Sequence, residues 1–365
     1  MMTRWVVLRV VPLVSVVLLA VIGVMLGMGR TLDNPVIAYF AQDTHLDGDL
    51  RLVDVRQGVE MAFDAEIGPF FLSNPMWLAN GEDMIFAATG GDIPHIYRYK
   101  PGAGALHTLL TAPANGNIYY LSLAPDGEQV AYTLSEGTSG HVYLMNIDGT
   151  ATRQITTISE QIHSPVAWSP DGTQMVFYSR HWARSNAWER AILVDVASGQ
   201  QRTLHQFTDQ VSITDPAWTA DSNALLYGET NLNGASRIMR LDVNTGSAVP
   251  LLPDRAAQDA LAIPAPTDDR IAIVTYIYTE QQPYIPASQI NLLDPATGTL
   301  QTIYTTDQIV DGVQWSPDGH TLLLHAEPPQ VSGTVLITSG QLLLLDIDSG
   351  EIMLTLNGDL AAWRP

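Results

Sequence analysis

The sequence predicts an all-β domain in which four-stranded units repeat and close into a ring, preceded by one N-terminal transmembrane helix. Three observations support the β domain. A short motif recurs seven times, each copy is followed by a β-rich run and a tight turn, and the two ends of the domain supply complementary parts of one unit. The composition is that of a globular chain, with 46% hydrophobic residues among 365.

The repeated motif is clearest at residues 166–172 and 313–319, which read Val-Ala-Trp-Ser-Pro-Asp-Gly and Val-Gln-Trp-Ser-Pro-Asp-Gly. Weaker copies surround these two, and Leu or Ile takes the tryptophan position in two of them. The seven anchor positions are Trp77, Leu123, Trp168, Trp218, Ile263, Trp315 and Trp363. Successive anchors lie between 45 and 52 residues apart, a period typical of repeat architectures.

Most units also contain a turn of the form Asp-x-x-[Ser/Thr]-Gly. It occurs at residues 195–199, 242–246, 294–298 and 346–350. Aspartate side chains cap such tight turns, and glycine adopts the positive φ that they need. Four short strands per repeat, joined by Pro-Asp-Gly and Asp-x-x-[Ser/Thr]-Gly turns, indicate the blade of a β-propeller.

The two ends of the domain supply parts of the same blade. Residues 35–65 predict three strands with no motif strand before them, and the chain ends on a motif strand at residues 359–363. Pairing of this last strand with the N-terminal blade closes the ring and removes two exposed edges. The prediction is therefore a seven-bladed β-propeller over residues 35–365. Six blades is the alternative if the degenerate unit around Ile263 belongs elsewhere, but that unit has its own turn at residues 294–298.

These motifs resemble those of the TolB-like, WD-repeat-like β-propeller family over nearly all of residues 35–365. The resemblance implies the propeller fold. It leaves the function open, because the family includes periplasmic scaffold proteins as well as the propeller domains of some serine peptidases. The sequence departs from the peptidases in having no Gly-x-Ser-x-Gly motif, and we expect no hydrolase domain beside the propeller.

Residues 10–29 carry no charge and are mostly Val, Leu, Ile, Met and Ala, a run long enough for a helix to cross a bilayer. Two arginines before this run and one after it favour a cytoplasmic N-terminus. We therefore expect a cytoplasmic tail at residues 1–9, a linker at residues 30–34 and an extracytoplasmic propeller. The alternative is a cleaved signal peptide, for which Gly27 and Gly29 give a weak cleavage site.

The charge and the cysteine content exclude several classes of function. The 38 acidic and 17 basic residues give a net charge of −21, so the chain lacks the positive face that nucleic acids require. There is no cysteine, which excludes disulfides, thiolate catalysis and zinc–thiolate sites. The histidines are scattered with no metal-binding spacing, and we predict no nucleic-acid partner and no cofactor.

We interpret the repeated residues as structural. Tryptophans that recur at one position of each unit are expected to pack between neighbouring sheets rather than to form a ligand-binding cage. The aspartates of the Pro-Asp-Gly turns stand a whole blade apart, whereas a calcium loop needs its oxygens within about a dozen residues. We therefore expect these aspartates to form turns.

The candidate binding residues lie in a loop of one face. If the strands are lettered a to d outward from the motif strand, the b–c and d–a loops share one face and are the most variable segments. The loop at residues 180–190 concentrates Trp and Arg, which are enriched at binding hot spots. Its candidate binding residues are Arg180, His181, Trp182, Arg184, Trp188 and Arg190. The alternative is that these arginines pair with blade acids and the tryptophans cover a loop core.

Four aspartates stand three or four residues before an anchor position, near the predicted mouth of the central channel. They are Asp215, Asp259, Asp311 and Asp359. A ring of carboxylates could hold a cation there, or it could cap the d–a loops, so a metal site stays open. No catalytic triad or paired-acid motif is recognisable, and we assign no catalytic residue.

The favoured function is a membrane-anchored, extracytoplasmic, non-catalytic scaffold that binds a protein, a peptide or a cell-envelope ligand on the b–c and d–a face. The alternative is a propeller-type hydrolase or lyase that uses the acids at the channel mouth. A third hypothesis is a sensor or assembly factor that signals through its N-terminal helix to a partner in the membrane.

Overall fold

A computed structural model of the chain describes residues 35–41, 49–63, 70–71, 73–90, 93–101, 103, 105–136, 139–156, 161–162, 164–181, 188–208, 211–252, 257–278, 287–327 and 340–365. Every regular element in these residues is a β-strand. The predicted tail 1–9, transmembrane segment 10–29 and linker 30–34 lie outside the described residues. In the described part of the chain, no helix is long and apolar enough to span a membrane.

The strands form seven antiparallel sheets, one for each blade, which we number from the N-terminus and describe from the innermost strand outward. Blade 1 consists of β31 (Asp359–Trp363), β1 (Val36–Ala41), β2 (Asp49–Asp54) and β3 (Val59–Phe63). Blade 2 consists of β4 (Phe70–Phe71) with β5 (Met76–Trp77), β6 (Met84–Gly90), β7 (Ile93–Lys100) and β8 (Ala105–Thr111). Blade 3 consists of β9 (Gly116–Leu123), β10 (Gln129–Glu136), β11 (Ser139–Asn146) and β12 (Arg153–Gln154).

The other four blades repeat this order. Blade 4 consists of β13 (Gln161–Ile162) with β14 (Ala167–Trp168), β15 (Gln174–His181), β16 (Trp188–Asp195) and β17 (Gln201–Phe207). Blade 5 consists of β18 (Val211–Ile213) with β19 (Ala217–Trp218), β20 (Ala224–Asn231), β21 (Ser236–Asp242) and β22 (Ala248–Pro250). Blade 6 consists of β23 (Gln258–Pro264), β24 (Ile271–Ile277), β25 (Ala287–Asp294) and β26 (Thr299–Thr306). Blade 7 consists of β27 (Ile309–Trp315), β28 (Thr321–Glu327), β29 (Gln341–Asp346) and β30 (Ile352–Asn357).

Seven apolar clusters lie between the sheets and show that the blades form a closed ring. Each cluster joins two successive blades, and one joins blade 7 to blade 1. That last cluster contains Leu344 of β29, Ile37 of β1 and Trp363 of β31. The prediction of seven blades is confirmed. The six-blade alternative is wrong, because the unit around Ile263 forms a complete blade of its own.

The repeated tryptophans pack between neighbouring blades, as predicted. Each belongs to, or packs against, the apolar cluster that its blade shares with the preceding one. The indole N–H of Trp218 donates to the Ala167 carbonyl at 3.0 Å, and that of Trp315 donates to the Ile263 carbonyl at 2.9 Å. Both bonds reach the inner strand of the previous blade, so these two indoles help to set the spacing between blades.

The repeated aspartates form turns, as predicted. Asp171 Oδ1 accepts hydrogen bonds from the Ser169 hydroxyl at 2.6 Å and from the Thr173 N–H at 3.0 Å. Asp195 Oδ1 accepts the Ser198 N–H at 2.8 Å. These bonds hold the pKa of both carboxyls below its usual value, with the Ser169 and Ser198 hydroxyls as the largest causes. We call the face with these a–b and c–d turns the lower face and the opposite one the upper face.

The C-terminal strand completes the first blade, as predicted. β31 runs antiparallel to β1, with Ile37 opposite Trp363 and Ala38 opposite Ala362. Blade 1 is thus built from both ends of the described chain, which closes the ring and leaves no inner strand unpaired at the junction.

All seven inner strands are interrupted at one level near the upper face. In blades 2, 4 and 5 the inner strand is split, and in the other blades its register against strand b shifts by one residue. In the split strands a hydroxyl of Ser73, Ser164 or Thr214 accepts a strand b N–H at 2.7–2.9 Å. Bulges re-aim side chains, and all four predicted channel-mouth aspartates lie at these interruptions.

Removing the C-terminal strand tests the closure. Deleting residues 359–365 from the full-length chain removes the inner strand of blade 1 and the Trp363 indole, so we expect the cooperative melting transition to be lost. The measurement is thermal unfolding followed by circular dichroism. The control is Met353→Ala on the outermost strand β30, a side chain that is 47% exposed, which should leave the transition in place. A truncated chain with an unchanged melting curve would contradict the closure.

Candidate functional site

A histidine held between two aspartates lies where blade 7 meets the closing strand. His325 stands near the upper end of β28. Its Nδ1 is 2.5 Å from Asp311 Oδ1 on β27, and its Nε2 is 2.6 Å from Asp359 Oδ1 on β31. The three side chains come from three different strands, and they join the inner strands of two neighbouring blades. We call them the Asp–His–Asp triad.

Local backbone features bring the triad together. The register of β27 against β28 shifts between Val310 and Gly312, so Asp311 is the extra residue of a bulge and turns towards His325. Gly340 is buried directly against the triad. A Cβ there would lie 2.2 Å from His325 Nε2 and 2.3 Å from Asp359 Oδ1, so glycine alone fits without moving the triad.

The charges of the triad fix the protonation of the histidine. Both ring nitrogens face carboxylate oxygens, and each donates an N–H when the ring is an imidazolium. The hydrogen bond to Asp311 and then that to Asp359 raise the pKa of His325 to about 10, against the opposing effect of burial. His325 is therefore a cation at neutral pH. It has no free lone pair with which to act as a general base or to bind a metal.

A cavity of about 360 Å³, lined by both polar and apolar residues, opens beside the triad. Its polar side chains come from three blades. They are Asn74 of blade 2, Asp311, Gln314 and His325 of blade 7, and Asp359 of blade 1. Gln314 Nε2 donates to the Ala361 carbonyl at 2.8 Å, which ties the two inner strands together below the triad. With one imidazolium and two carboxylates, the triad places one net negative charge beside the cavity.

The other two predicted channel-mouth acids have different surroundings. Asp259 is buried and accepts the Thr275 hydroxyl at 2.6 Å. Thr275 in turn accepts the Asn291 amide at 2.9 Å, so the carboxylate is part of a polar chain that crosses blade 6. Asp215 is exposed, and its charge adds to burial in raising the pKa of Tyr120. The structure brings together Asp311 and Asp359, through His325, and not all four acids. In the described ranges, no three His, Asp or Glu side chains are placed to hold a metal ion.

The predicted binding loop is shorter than residues 180–190. Arg180 and His181 are the last residues of β15, and Trp188 and Arg190 belong to β16. Trp182 and Arg184 lie outside the described residues.

The surroundings of Arg180 and His181 bear on the binding role predicted for them. Arg180 pairs with the buried Glu189 of its own blade at 2.7 Å, as the alternative interpretation of this loop expected, and His181 is exposed. The binding role of this loop stays a prediction.

Sequence reasoning missed His325. It is the polar residue that interrupts the run Leu-Leu-Leu-His-Ala within a mostly buried strand, and that interruption is the signal it offers. Its partners stand 14 and 34 residues away, so their proximity depends on the bulge and on the closure of the ring.

Comparisons with known proteins agree with this architecture. No family model matches the chain. The chain is 22% identical over 249 residues to the Tol-Pal system protein TolB of Francisella tularensis subsp. tularensis, which covers 67% of this chain and 54% of that protein. The crystal structure of TolB from Acinetobacter baumannii superposes with a TM-score of 0.53 and 16% identity, over 91% of this chain and 83% of that one. The fold is that of a TolB-like β-propeller.

Other solved structures share the fold and have different activities. An oligogalacturonate lyase from Vibrio parahaemolyticus superposes with a TM-score of 0.64 and 13% identity, over 89% of this chain and 85% of that one. A puromycin-hydrolyzing peptidase of Mycobacterium tuberculosis superposes with a TM-score of 0.59 and 17% identity, over 86% of this chain and 52% of that one. At these identities the likeness shows the fold alone. The TolB-like chain also spans about half the length of the curated relative that it matches.

The pKa of His325 predicts a loss of stability at alkaline pH. Because the pKa is raised from 6.5 to about 10 in the folded state, the added stability is complete below pH 6.5 and is lost as the pH rises through 10. The measurement is the melting temperature of the full-length chain and of His325→Gln between pH 6 and pH 10.5. We expect the difference between them to shrink as the pH rises. Tyrosines titrate in both chains and cancel in that difference, so a constant difference would contradict the assignment.

Proposed function

We propose that this propeller is a non-catalytic scaffold that binds a protein or peptide partner through its upper face, and that residues 10–29 anchor it on the extracytoplasmic side of a membrane. The first relative described above is named as a protein of the Tol-Pal system, which supports a role in a protein assembly. The anchor rests on the sequence of residues 10–29.

The contrast between the two faces is the observation that carries the binding role. Seven large hydrophobic side chains stand out as exposed in the described residues. Four of them lie on the upper face or in the channel: Ile93, Tyr119, Leu232 and Tyr278. Leu232, at the tip of the β20–β21 hairpin, is 79% exposed. The other three lie on outermost strands: Val59, Val249 and Met353. Apolar side chains exposed at the upper face and in the channel of a rigid ring suit the anchors of a protein interface.

The start of the described chain supports an orientation for the upper face. Val36 at the start of β1 lies opposite Asp54, beside a c–d turn, so the chain enters the propeller on the lower face. The five linker residues 30–34 reach at most about 18 Å when extended. With an anchor at residues 10–29, the lower face would be held towards the membrane and the upper face would point away from it, towards a partner.

The geometry of the triad supports the non-catalytic role over the alternative of a hydrolase or lyase. The lyase and peptidase that share the fold keep that alternative open. At the channel mouth, however, the imidazolium of His325 cannot take a proton at neutral pH, and Asp311 and Asp359 both accept hydrogen bonds from it. Two of the four acids named by the enzyme hypothesis are thus engaged with a cation of the protein itself.

Affinity capture from native membranes with the full-length chain tests the proposal. Two variants designed against the upper face, called upper-face variants below, are compared with wild type: Leu232→Asp, and Arg184→Glu combined with Trp188→Ala in the loop predicted to bind. The matched control is Val249→Asp, which changes an exposed side chain on the outermost strand β22. We expect on the order of tenfold less partner with at least one upper-face variant, and wild-type recovery with the control.

Melting curves of all variants are measured in parallel, so that a loss of partner is read as a loss of contact. A partner retained by both upper-face variants, or lost equally in the control, would contradict binding through the upper face. The absence of any specific partner would favour the enzyme alternative, and hydrolase and lyase assays would follow.

A further inference from the structure

The closing strand β31 is held differently from the other inner strands. Each of the others continues through a short turn into the strand b beside it, whereas β31 meets its strand b, β1, through pairing alone. On its other side β31 follows β30 after the single residue Gly358. The strand that closes the ring therefore depends on non-covalent contacts on the side of blade 1.

Contacts from blade 7 hold β31 at three heights. The Gly358 N–H donates to the Gly340 carbonyl at 3.1 Å above the strand. Asp359, its first residue, meets His325 at 2.6 Å. Ala361, near its middle, accepts the Gln314 amide at 2.8 Å. Of these three contacts, the one between Asp359 and His325 joins two charged groups. Charge-assisted hydrogen bonds are roughly twice as strong as neutral ones.

We propose that the Asp–His–Asp triad is an ionic latch that fastens the closing strand β31 to blade 7 and so controls the opening of the ring. Asp311 places a second carboxylate on the other side of the ring of His325, and this keeps the histidine charged and oriented towards Asp359. A neutral side chain at position 325 leaves the two carboxylates facing each other without a cation between them. The latch then repels the strand that it normally holds.

Two features around the triad fit this role. His325 and Asp359 are each about three-quarters buried, so their attraction is screened less than that of a surface pair. Gly340 leaves room for the carboxylate at the position where any side chain would push it away. Gly140 is the corresponding residue of blade 3, at the start of strand c, and a Cβ there meets nothing closer than 3.6 Å. The tight glycine thus belongs to the latch and is not a general requirement of the blade.

An engineered disulfide distinguishes a latch from a local packing role of the triad. The chain has no cysteine, so Ala38→Cys with Ala362→Cys gives a single pair, across β1 and β31. Residues opposite each other in antiparallel strands lie within the Cα separation that a disulfide needs. In the full-length chain without the bond, we expect His325→Gln to lower the melting temperature by about 5 °C. With the disulfide formed, β31 cannot separate from β1, and the decrease in melting temperature caused by His325→Gln should fall below about 1 °C.

Reduction of the disulfide should restore the full effect of His325→Gln. The control is His320→Gln, an exposed histidine on the lower face, which should have no effect in either chain. An equal loss in the bonded and the reduced chains would overturn the latch, because a local packing defect does not depend on whether β31 is tethered.

A second pair of variants keeps the test independent of the disulfide. Gly340→Ala should increase hydrogen exchange of residues 359–363 about tenfold while leaving β9 unchanged, and Gly140→Ala should leave residues 359–363 unchanged. Unchanged exchange in residues 359–363 of Gly340→Ala, or an equal increase in all inner strands, would overturn the proposal.

Discussion

The pairing of β31 with β1 is the interaction on which the rest of the structure depends. A ring of sheets has no hydrophobic core in common, because each apolar cluster is shared by two neighbouring blades. If one junction opens, the two blades beside it each expose an apolar face, and β1 becomes an open edge. Drawing the inner strand of blade 1 from the C-terminus prevents this, since one sheet then contains strands from both ends of the described chain.

The two faces of the ring differ in their connections and in their exposed side chains. The lower face is made of short turns whose aspartates accept hydrogen bonds from their own backbone, as at Asp171 and Asp195. The upper face has the interruptions of the inner strands and the exposed side chain of Leu232. The interruption in β27 turns Asp311 towards His325, so the Asp–His–Asp triad lies at the face where we propose binding.

Much of the fold could be predicted because the signals repeat locally. Trp168 and Trp315 mark equivalent strands, and counting such anchors predicts seven blades. The partial blades at the two ends of the domain predict how the ring closes. The site was less predictable. Asp259 and Asp311 have the same position relative to their anchors, yet one is buried against Thr275 and the other is exposed beside His325. That difference depends on the side chain that the neighbouring strand presents, which no local pattern contains.

Hydrogen exchange of the full-length chain, read at residues 36–41 and 359–363 by mass spectrometry, tests closure most directly. If β31 is the inner strand of blade 1, both segments should exchange as slowly as the inner strand β23 of blade 6, because their backbone N–H groups are paired and buried. Exchange of residues 359–363 as fast as that of the exposed hairpin at residues 231–234 would contradict the closure and the latch that depends on it.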